Sequence, residues 1–512
     1  MQLELGFGLS KFVGPIIFFV FVAVFFLTIF RRIDYGVFFL VPFIPLQNVL
    51  NYANAYPLGK DINDLMLFAM LLRWVLDRKK GNLTQRWKGW RKNEEKFFLK
   101  SPVNLPIFLL ILWTFIELIR GANYLGYGYT IFIGDERFIA WKNYLMLPTL
   151  FFIVYNNVRN PRHMEILILM MAGAMLTLDR NFYQAAHDRD LSHEYTQWRF
   201  GGAGGQALGG NALAVFQAQY SIVMLFMLLA AKKTWQKFFF GIVTIFTYYC
   251  LMFSFSRSGY LAGVVTLVFA GFIKERRLLV GMALLAIFWQ ALLPQSVQHR
   301  LTMTKGDDGQ YDTTMMQRVG MWELAKGIIA KNPIAGAGFN VSPYLKIHVD
   351  GFKYTWASFH SGYMETTVEL GLVGISLYLL FFGLGAYSGW KLYRLADDEF
   401  HQALGLGCIG CVLAILSGNA AGTYWNYMNV MGFYWVLLGL VLRLTFMYKQ
   451  QKQNEPAPAL SASLSRWLPA RVPVKVGQAT EVAETTFKNE IVAEKARRHS
   501  SKNGTLTKEK RF

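Results

Sequence analysis

Apolar runs of about 15 to 20 residues recur from Phe12 to Tyr448, each closed by a short basic or polar loop. Runs of that length match helices that cross a hydrocarbon layer about 30 Å thick. They predict spans near residues 12–30, 33–50, 62–76, 103–119, 137–155, 164–179, 212–231, 238–254, 259–273, 278–294, 367–390, 403–420 and 429–447. The segment 33–50 carries Pro42 and Pro45 and reads as a broken span, which neighbouring helices must re-satisfy, so the expected count is 12 or 13. The predicted fold class is therefore an all-α polytopic membrane protein: a bundle of about 12–13 transmembrane helices with one large, partly helical loop. Four parts follow along the chain: an N-terminal transmembrane bundle at 1–294, the loop at 295–366, C-terminal transmembrane helices at 367–447, and a tail at 448–512.

The polar positions between the runs orient the bundle. Arg31 and Arg32, the basic stretch after Asp77, Arg159 and Arg162, Lys232 and Lys233, "KERR" from Lys274, and Lys391 with Arg394 fall on alternate loops, which places those loops in the cytoplasm. Loops at 120–136, 181–210 and 295–366 then share the opposite, outer face. The tail turns to Ala, Pro, Ser, Lys and Glu and reads as a disordered basic cytoplasmic segment, with contact to anionic membrane lipids as an expected property. No cleavable leader stands alone at the N-terminus.

Composition agrees with the pattern: 54% of the 512 residues are hydrophobic, too many for an ordinary soluble enzyme of this length. The formal charge of +20 is spread over loop clusters rather than gathered into a groove, so topology accounts for it and no nucleic-acid partner is expected. Cys250, Cys408 and Cys411 all fall in apolar spans. The C-x-x-C in "LGCIGCVLA" lies among small residues that suit close helix packing in lipid, and packing is the preferred reading over metal or redox chemistry.

Candidate chemistry gathers on the outer face. In the large loop, Met315, Val319, Trp322, Leu324, Ile328 and Ile329 predict an amphipathic surface helix that ends at Asn332-Pro333 and carries Arg318 in its first turns. The following "IAGAGFN" lets backbone approach a ligand closely. His360 precedes a helix for which Ser361 is a fair N-cap, and the positive end of that helix favours the neutral imidazole expected of a general base. Glu365 and Glu369, four apart, share a face of that helix. Arg257, in "SFSRSGYLAG", is either a snorkelling arginine at a hairpin or one aimed at a ligand. Arg199 precedes a glycine-rich run and is either solvated or a further anion contact. His187, Asp188, Asp190, His193 and Glu194 form a polar mixture able to bind a divalent ion, as does Asp307-Asp308, but their spacing matches no strong ligand pattern and solvated loops are the preferred reading. Together, three arginines and a histidine on one face suit a polyanion and a hydroxyl: a lipid-linked sugar diphosphate whose developing charge Arg neutralises and an acceptor that His360 activates.

"SFSRSGYLAG", "QRVGMWELAKGIIAKNPIAGAGFN" and "FHSGYMETTVELGLVG", in that order, resemble the bacterial O-antigen ligase and O-antigen polymerase family. That resemblance covers residues 199 to 382, with its core at 254–374. It implies a multi-pass enzyme of the bacterial inner membrane that transfers glycan from undecaprenyl diphosphate at the periplasmic face, without a metal or other cofactor. Arg257, Arg318 and more loosely Arg199 are similar to the family's diphosphate-binding arginines, and His360 to its essential histidine. The acceptor is then a glycan or the lipid A core, with polysaccharide-assembly proteins as possible partners. Ser361 stands where the family usually has Asn. A lipid-linked-sugar flippase or polysaccharide transporter is the competing reading, although the halves are unrelated and the charges gather at one face rather than at midplane.

Overall fold

Every predicted apolar segment is mainly helical, with 33–50 and 278–294 each divided between two helices. The computed structural model describes residues 10–84, 99–128, 132, 134–186, 210–302, 313–345, 347–349, 352–354 and 358–454. The first half holds α1 (Ser10–Phe30), α2 (Ile33–Phe43), α3 (Gln47–Leu50), α4 (Ile62–Thr84), α5 (Asn104–Tyr124), α6 (Glu136–Asn157), α7 (Pro161–Ala186), α8 (Gly210–Ala230) and α9 (Thr234–Met252). After them come α10 (Arg257–Ile273), α11 (Arg277–Ile287), α12 (Trp289–Leu292), α13 (Gln295–Thr302), α14 (Thr313–Lys331), α15 (Gly362–Leu395), α16 (Glu399–Gly418) and α17 (Met428–Asn454). A two-stranded antiparallel hairpin, β1 (Ile347–Val349) with β2 (Phe352–Tyr354), is the one β element among the described residues. Arg199, the 187–194 polar cluster, Asp307-Asp308 and nearly all of the predicted tail lie outside the described residues.

Eight helices among the described residues are long and apolar enough to cross a membrane, namely α1, α5, α6, α7, α8, α15, α16 and α17. The proline-bearing segment makes a ninth if counted as one span, bent by 109° between α2 and its continuation. Fewer helices than the expected 12 or 13 pass this test. The 17 residues of α10 reach about 25 Å at 1.5 Å per residue, short of a bilayer core, and α11 is shorter still. Helices α4 and α9 have the length but carry too many polar positions.

Burial separates inner from outer helices. The apolar stretches of α8 and α17 are 83% and 89% buried within the protein, while that of α1 is 22% buried and turns Phe12, Phe19, Phe26 and Phe30 outward. A helix that is apolar all round and sheathed by others forms the core of a bundle; one with an apolar outer face meets lipid. Small residues let the inner helices close up. A Cβ at Gly410 would sit 2.6 Å from Ile222 of α8, and one at Gly389 of α15 would sit 2.6 Å from the Gly405 carbonyl of α16. Buried Cys408 and Cys411 lie among these close contacts: Gly407 meets Val223 and Gly410 meets Ile222 of α8, while Cys408 packs on Gly385 and Gly389 of α15.

In the large loop, the helix after His360 starts at Gly362, directly after the Ser361 N-cap position, and runs on through the predicted span as α15. Helix α14 keeps part of the expected apolar face and extends it. Ile328, with Leu324 and Ile329 partly buried beside it, packs with Met321 and Ala325 against Phe359, Val368, Ala337 and Val341, whereas Val319 is 41% exposed. The small Ala325 lets α14 dock on protein, and burying Met321 and Ile328 contributes about 1.5–3 kcal/mol each.

Candidate functional site

The glycines of "NPIAGAGFN" and "ELGLVG" solve one backbone problem. Helix α15 breaks at Gly371, whose φ of 65° and ψ of −168° lie outside the helical region. Such a break frees carbonyls and amides that lipid or an apolar core would leave unsatisfied. Residues 333–338 run across the break and replace the lost bonds. Ala337 N donates to Val368 O at 2.7 Å and Gly338 N to Glu369 O at 2.9 Å, while Leu372 N donates to Pro333 O at 2.9 Å and Val373 N to Ile334 O at 3.2 Å. The Leu370 carbonyl accepts from the Trp113 indole at 3.0 Å, and Phe339 N reaches Glu117 O of α5 at 2.9 Å.

That crossing requires backbone against backbone. A Cβ at Gly336 would lie 2.6 Å from the Glu369 carbonyl, one at Gly338 would fall on Gly121 of α5, and one at Gly371 would fall on the Ile334 carbonyl. The glycines expected to admit a ligand instead admit the protein's own chain. Gly371→Ala is expected to lower the thermal stability of the purified protein by several degrees, since that backbone conformation, populated essentially by glycine alone, costs about 1–3 kcal/mol for alanine and the displaced carbonyl adds to it. Gly383→Ala, on the same helix with open space around its Cβ, serves as the control and leaves stability unchanged or slightly raised.

Arg257 sits at the first position of α10 in an equally constrained turn. Phe255 is left-handed at φ 53°, Ser256 is extended, and the Ser256 hydroxyl caps the helix by accepting from Gly259 N at 3.4 Å. The same hydroxyl donates to Asn211 Oδ1 at 2.8 Å, which ties the turn to the start of α8. Gly259 is required because a Cβ there would lie 2.6 Å from Ala214 Cβ. Buried Arg300 of α13 donates from Nε to the Phe255 carbonyl at 3.0 Å, and Arg257 Nη2 donates to the Arg300 carbonyl at 3.4 Å. Sequence reasoning missed Arg300, which reads there as one more basic residue after an apolar run.

Arg318 precedes Trp322 by four residues and so shares its face of α14. The Trp322 indole donates to Phe359 O at 2.8 Å, and the Phe359 ring is wholly buried under α14. His360 follows, exposed and left-handed at φ 49°. Ser361 occupies the N-cap position but makes no side-chain cap bond; the chain is held instead by Gly362 N donating to Gly422 O at 2.7 Å. Of the four non-glycine residues with positive φ among the described residues, Phe255, Asn340 and His360 each lie in one of the three motifs. Backbone strain of this kind persists where surrounding structure over-determines it.

His360 lines a cavity of about 910 Å³ with the carboxyls Glu365 and Glu369. Amides come from separate elements: Asn143 from α6, Asn211 from α8, Asn340 after the glycine crossing, Asn426 from the turn before α17 and Asn429 from its first turn. Thr423 Oγ1 donates to Glu365 Oε2 at 3.0 Å, and Ser342 N to Glu369 Oε1 at 3.3 Å. Tyr427 lines the wall as well. Desolvation there, followed by the charges of Glu365, Tyr424 and Glu369, pushes its phenol up to about 12, so it remains a hydrogen-bond donor at neutral pH. The turn "TYWNYMN" at 423–429 was not singled out from sequence; an aromatic and amide cluster between two apolar runs was its available signal.

The structure therefore brings His360, Glu365 and Glu369 to one cavity. It sets Arg257 beside Ser256, which is bonded to the cavity residue Asn211, and it sets Arg318 on the helix face that holds Phe359. A ring nitrogen, several hydroxyl-binding groups and guanidinium groups on adjoining elements can hold a polar donor and deprotonate an alcohol. Residues 240–379 match the family model described as O-antigen ligase, a stretch that contains Arg257, Arg318, His360 and the break at Gly371 but not Arg199. No curated protein matches the chain.

Proposed function

We propose, on the premise that residues 240–379 belong with the O-antigen ligases, that this multi-pass membrane protein transfers glycan from undecaprenyl diphosphate at the periplasmic face of the bacterial inner membrane. It polymerises repeat units or ligates finished glycan. Arg257 and Arg318 hold the diphosphate, with Arg199 as a third contact, and His360 is the base. The acceptor oxygen attacks the anomeric carbon as its proton passes to His360. The bond from that carbon to the diphosphate oxygen breaks, and the electron pair leaves on undecaprenyl diphosphate, whose charge the guanidinium groups neutralise.

The observation that carries this reading is that one matched stretch contains all three held elements: the Arg257 turn, the Arg318 helix and the His360 turn. Guanidinium suits a diphosphate because its fork binds two oxygens at once and it stays charged. The test is transfer by purified protein supplied with undecaprenyl-diphosphate oligosaccharide, with and without chelator. Transfer in both is expected; no transfer from the lipid diphosphate overturns the reading. A deletion strain separates the two reactions: single repeat units on the final carrier mark a lost polymerase, and full-length chains left on undecaprenyl diphosphate mark a lost ligase.

A further inference from the structure

The cavity beside His360 has an unusual lining for an enzyme that handles a diphosphate. None of its described lining residues is Lys or Arg. Its polar groups are amides, phenols, the hydroxyls of Ser358 and Thr423, the His360 ring and the two carboxyls of Glu365 and Glu369. Among the described residues an anion placed there meets no Lys or Arg and faces two carboxyls, and burying an unpaired charge is strongly disfavoured. A sugar hydroxyl, by contrast, both donates and accepts, and amides and carboxyls answer both needs. Thr423 and the Phe359 backbone bond Glu365, and Ser342 and the Asn340 backbone bond Glu369, while a carboxyl offers about four acceptor sites. Tyr424 and Tyr427, with ring centroids 6.5 Å apart and tilted, add apolar faces for the C–H surface of a pyranose. At about 910 Å³ the volume takes more than one sugar ring.

Position says which substrate enters. His360 lines the cavity, but Arg257 and Arg318 do not. The base thus borders the cavity while the proposed diphosphate contacts lie on other elements, so the attacking hydroxyl comes from the cavity side. We infer that this cavity is the acceptor subsite and that it selects an uncharged, hydroxyl-rich sugar chain over one carrying carboxylate or phosphate at the reacting end, with Asn143 and Glu365 as specificity-determining residues. This inference rests on the proposed glycan transfer for its word acceptor, but not for its choice of ligand.

The experiment measures binding of maltotetraose, chitotetraose and tetragalacturonate to the full chain in nanodiscs by calorimetry, and binding of undecaprenyl diphosphate in parallel. At least one neutral tetrasaccharide is expected to bind at least about tenfold more tightly than tetragalacturonate. Asn143→Leu is expected to weaken that binding about tenfold while leaving undecaprenyl diphosphate binding unchanged. Asn143 is solvent-exposed on α6, so the change does not disturb the core, and Glu365→Gln provides a second variant expected to shift the preference among the neutral glycans. Tetragalacturonate binding as well as or better than the neutral glycans overturns the inference, as does binding of none of the three, or neutral binding untouched by both variants. Discrimination among glycans without any lipid-diphosphate binding or transfer would instead overturn the proposed reaction and leave the subsite standing.

Discussion

Replacing His360 with asparagine is expected to reduce glycan transfer by roughly 10²–10⁴-fold, the usual contribution of a positioned general base, while the protein inserts and accumulates as before. Asparagine is the informative replacement because His360 is left-handed at φ 49°, a conformation asparagine tolerates and alanine does not. Backbone geometry, the Trp322 to Phe359 bond and the bond from Gly362 to Gly422 all survive the change. His360→Ala removes the same ring and adds a backbone cost of about 1–2 kcal/mol, so a loss of activity in both variants with folding intact in the first isolates the ring. Initial rates with lipid-linked glycan, set against protein recovered from the membrane, measure it. A fully active His360→Asn variant removes the histidine from the mechanism.

Arg257→Lys and Arg318→Lys are expected to lose most transfer as well, by tenfold or more, even though the formal charge is kept. Lysine offers a point charge where the diphosphate calls for a planar fork with two parallel donors. At Arg257 a second effect follows. Its Nη2 donates to the Arg300 carbonyl, and Arg300 in turn holds the left-handed Phe255, so the side chain is tied to the turn that carries it. The readout is the KM for undecaprenyl-diphosphate oligosaccharide against kcat, with Arg276→Lys on the loop between α10 and α11 as a neutral control. Wild-type rates in both lysine variants would show that charge alone suffices and that bidentate contact plays no part. The double variant is expected to lose less than the product of the two single losses, because the two arginines would act on one leaving group.

Much of the fold is legible because a membrane span is a local property. About twenty apolar residues in a row have few other stable destinations, and Pro42 with Pro45 announces a break whatever surrounds it. The 109° bend at that segment is the result. The break in α15 is different. "ELGLVGISLYLLFF" reads as one uninterrupted span, since a glycine in an apolar run is ordinary in membrane helices. The helix opens at Gly371 because residues 333–338 arrive from elsewhere in the chain with amides and carbonyls in register, and because Gly336 and Gly338 let them come close enough. No local pattern encodes that meeting.

The candidate site divides in the same way. His360, Arg257 and Arg318 stand out in sequence because charged and titratable side chains are conspicuous beside apolar runs, and their motifs bear a family resemblance that the match at 240–379 supports. Arg300 and the cavity wall do not stand out. Asn143, Asn211, Asn340 and Asn426 are single amides near the ends of different elements, each unremarkable where it sits and informative only once the ends converge. By itself, then, the sequence determined that the chain is a helical membrane protein and which side chains could carry charge to a reaction, because apolar run length and side-chain chemistry need no partner. Only the tertiary structure decided where helix α15 opens, what α14 packs against and what kind of surface His360 adjoins, because backbone satisfaction, close packing and a cavity's polarity are properties of segments far apart in the chain.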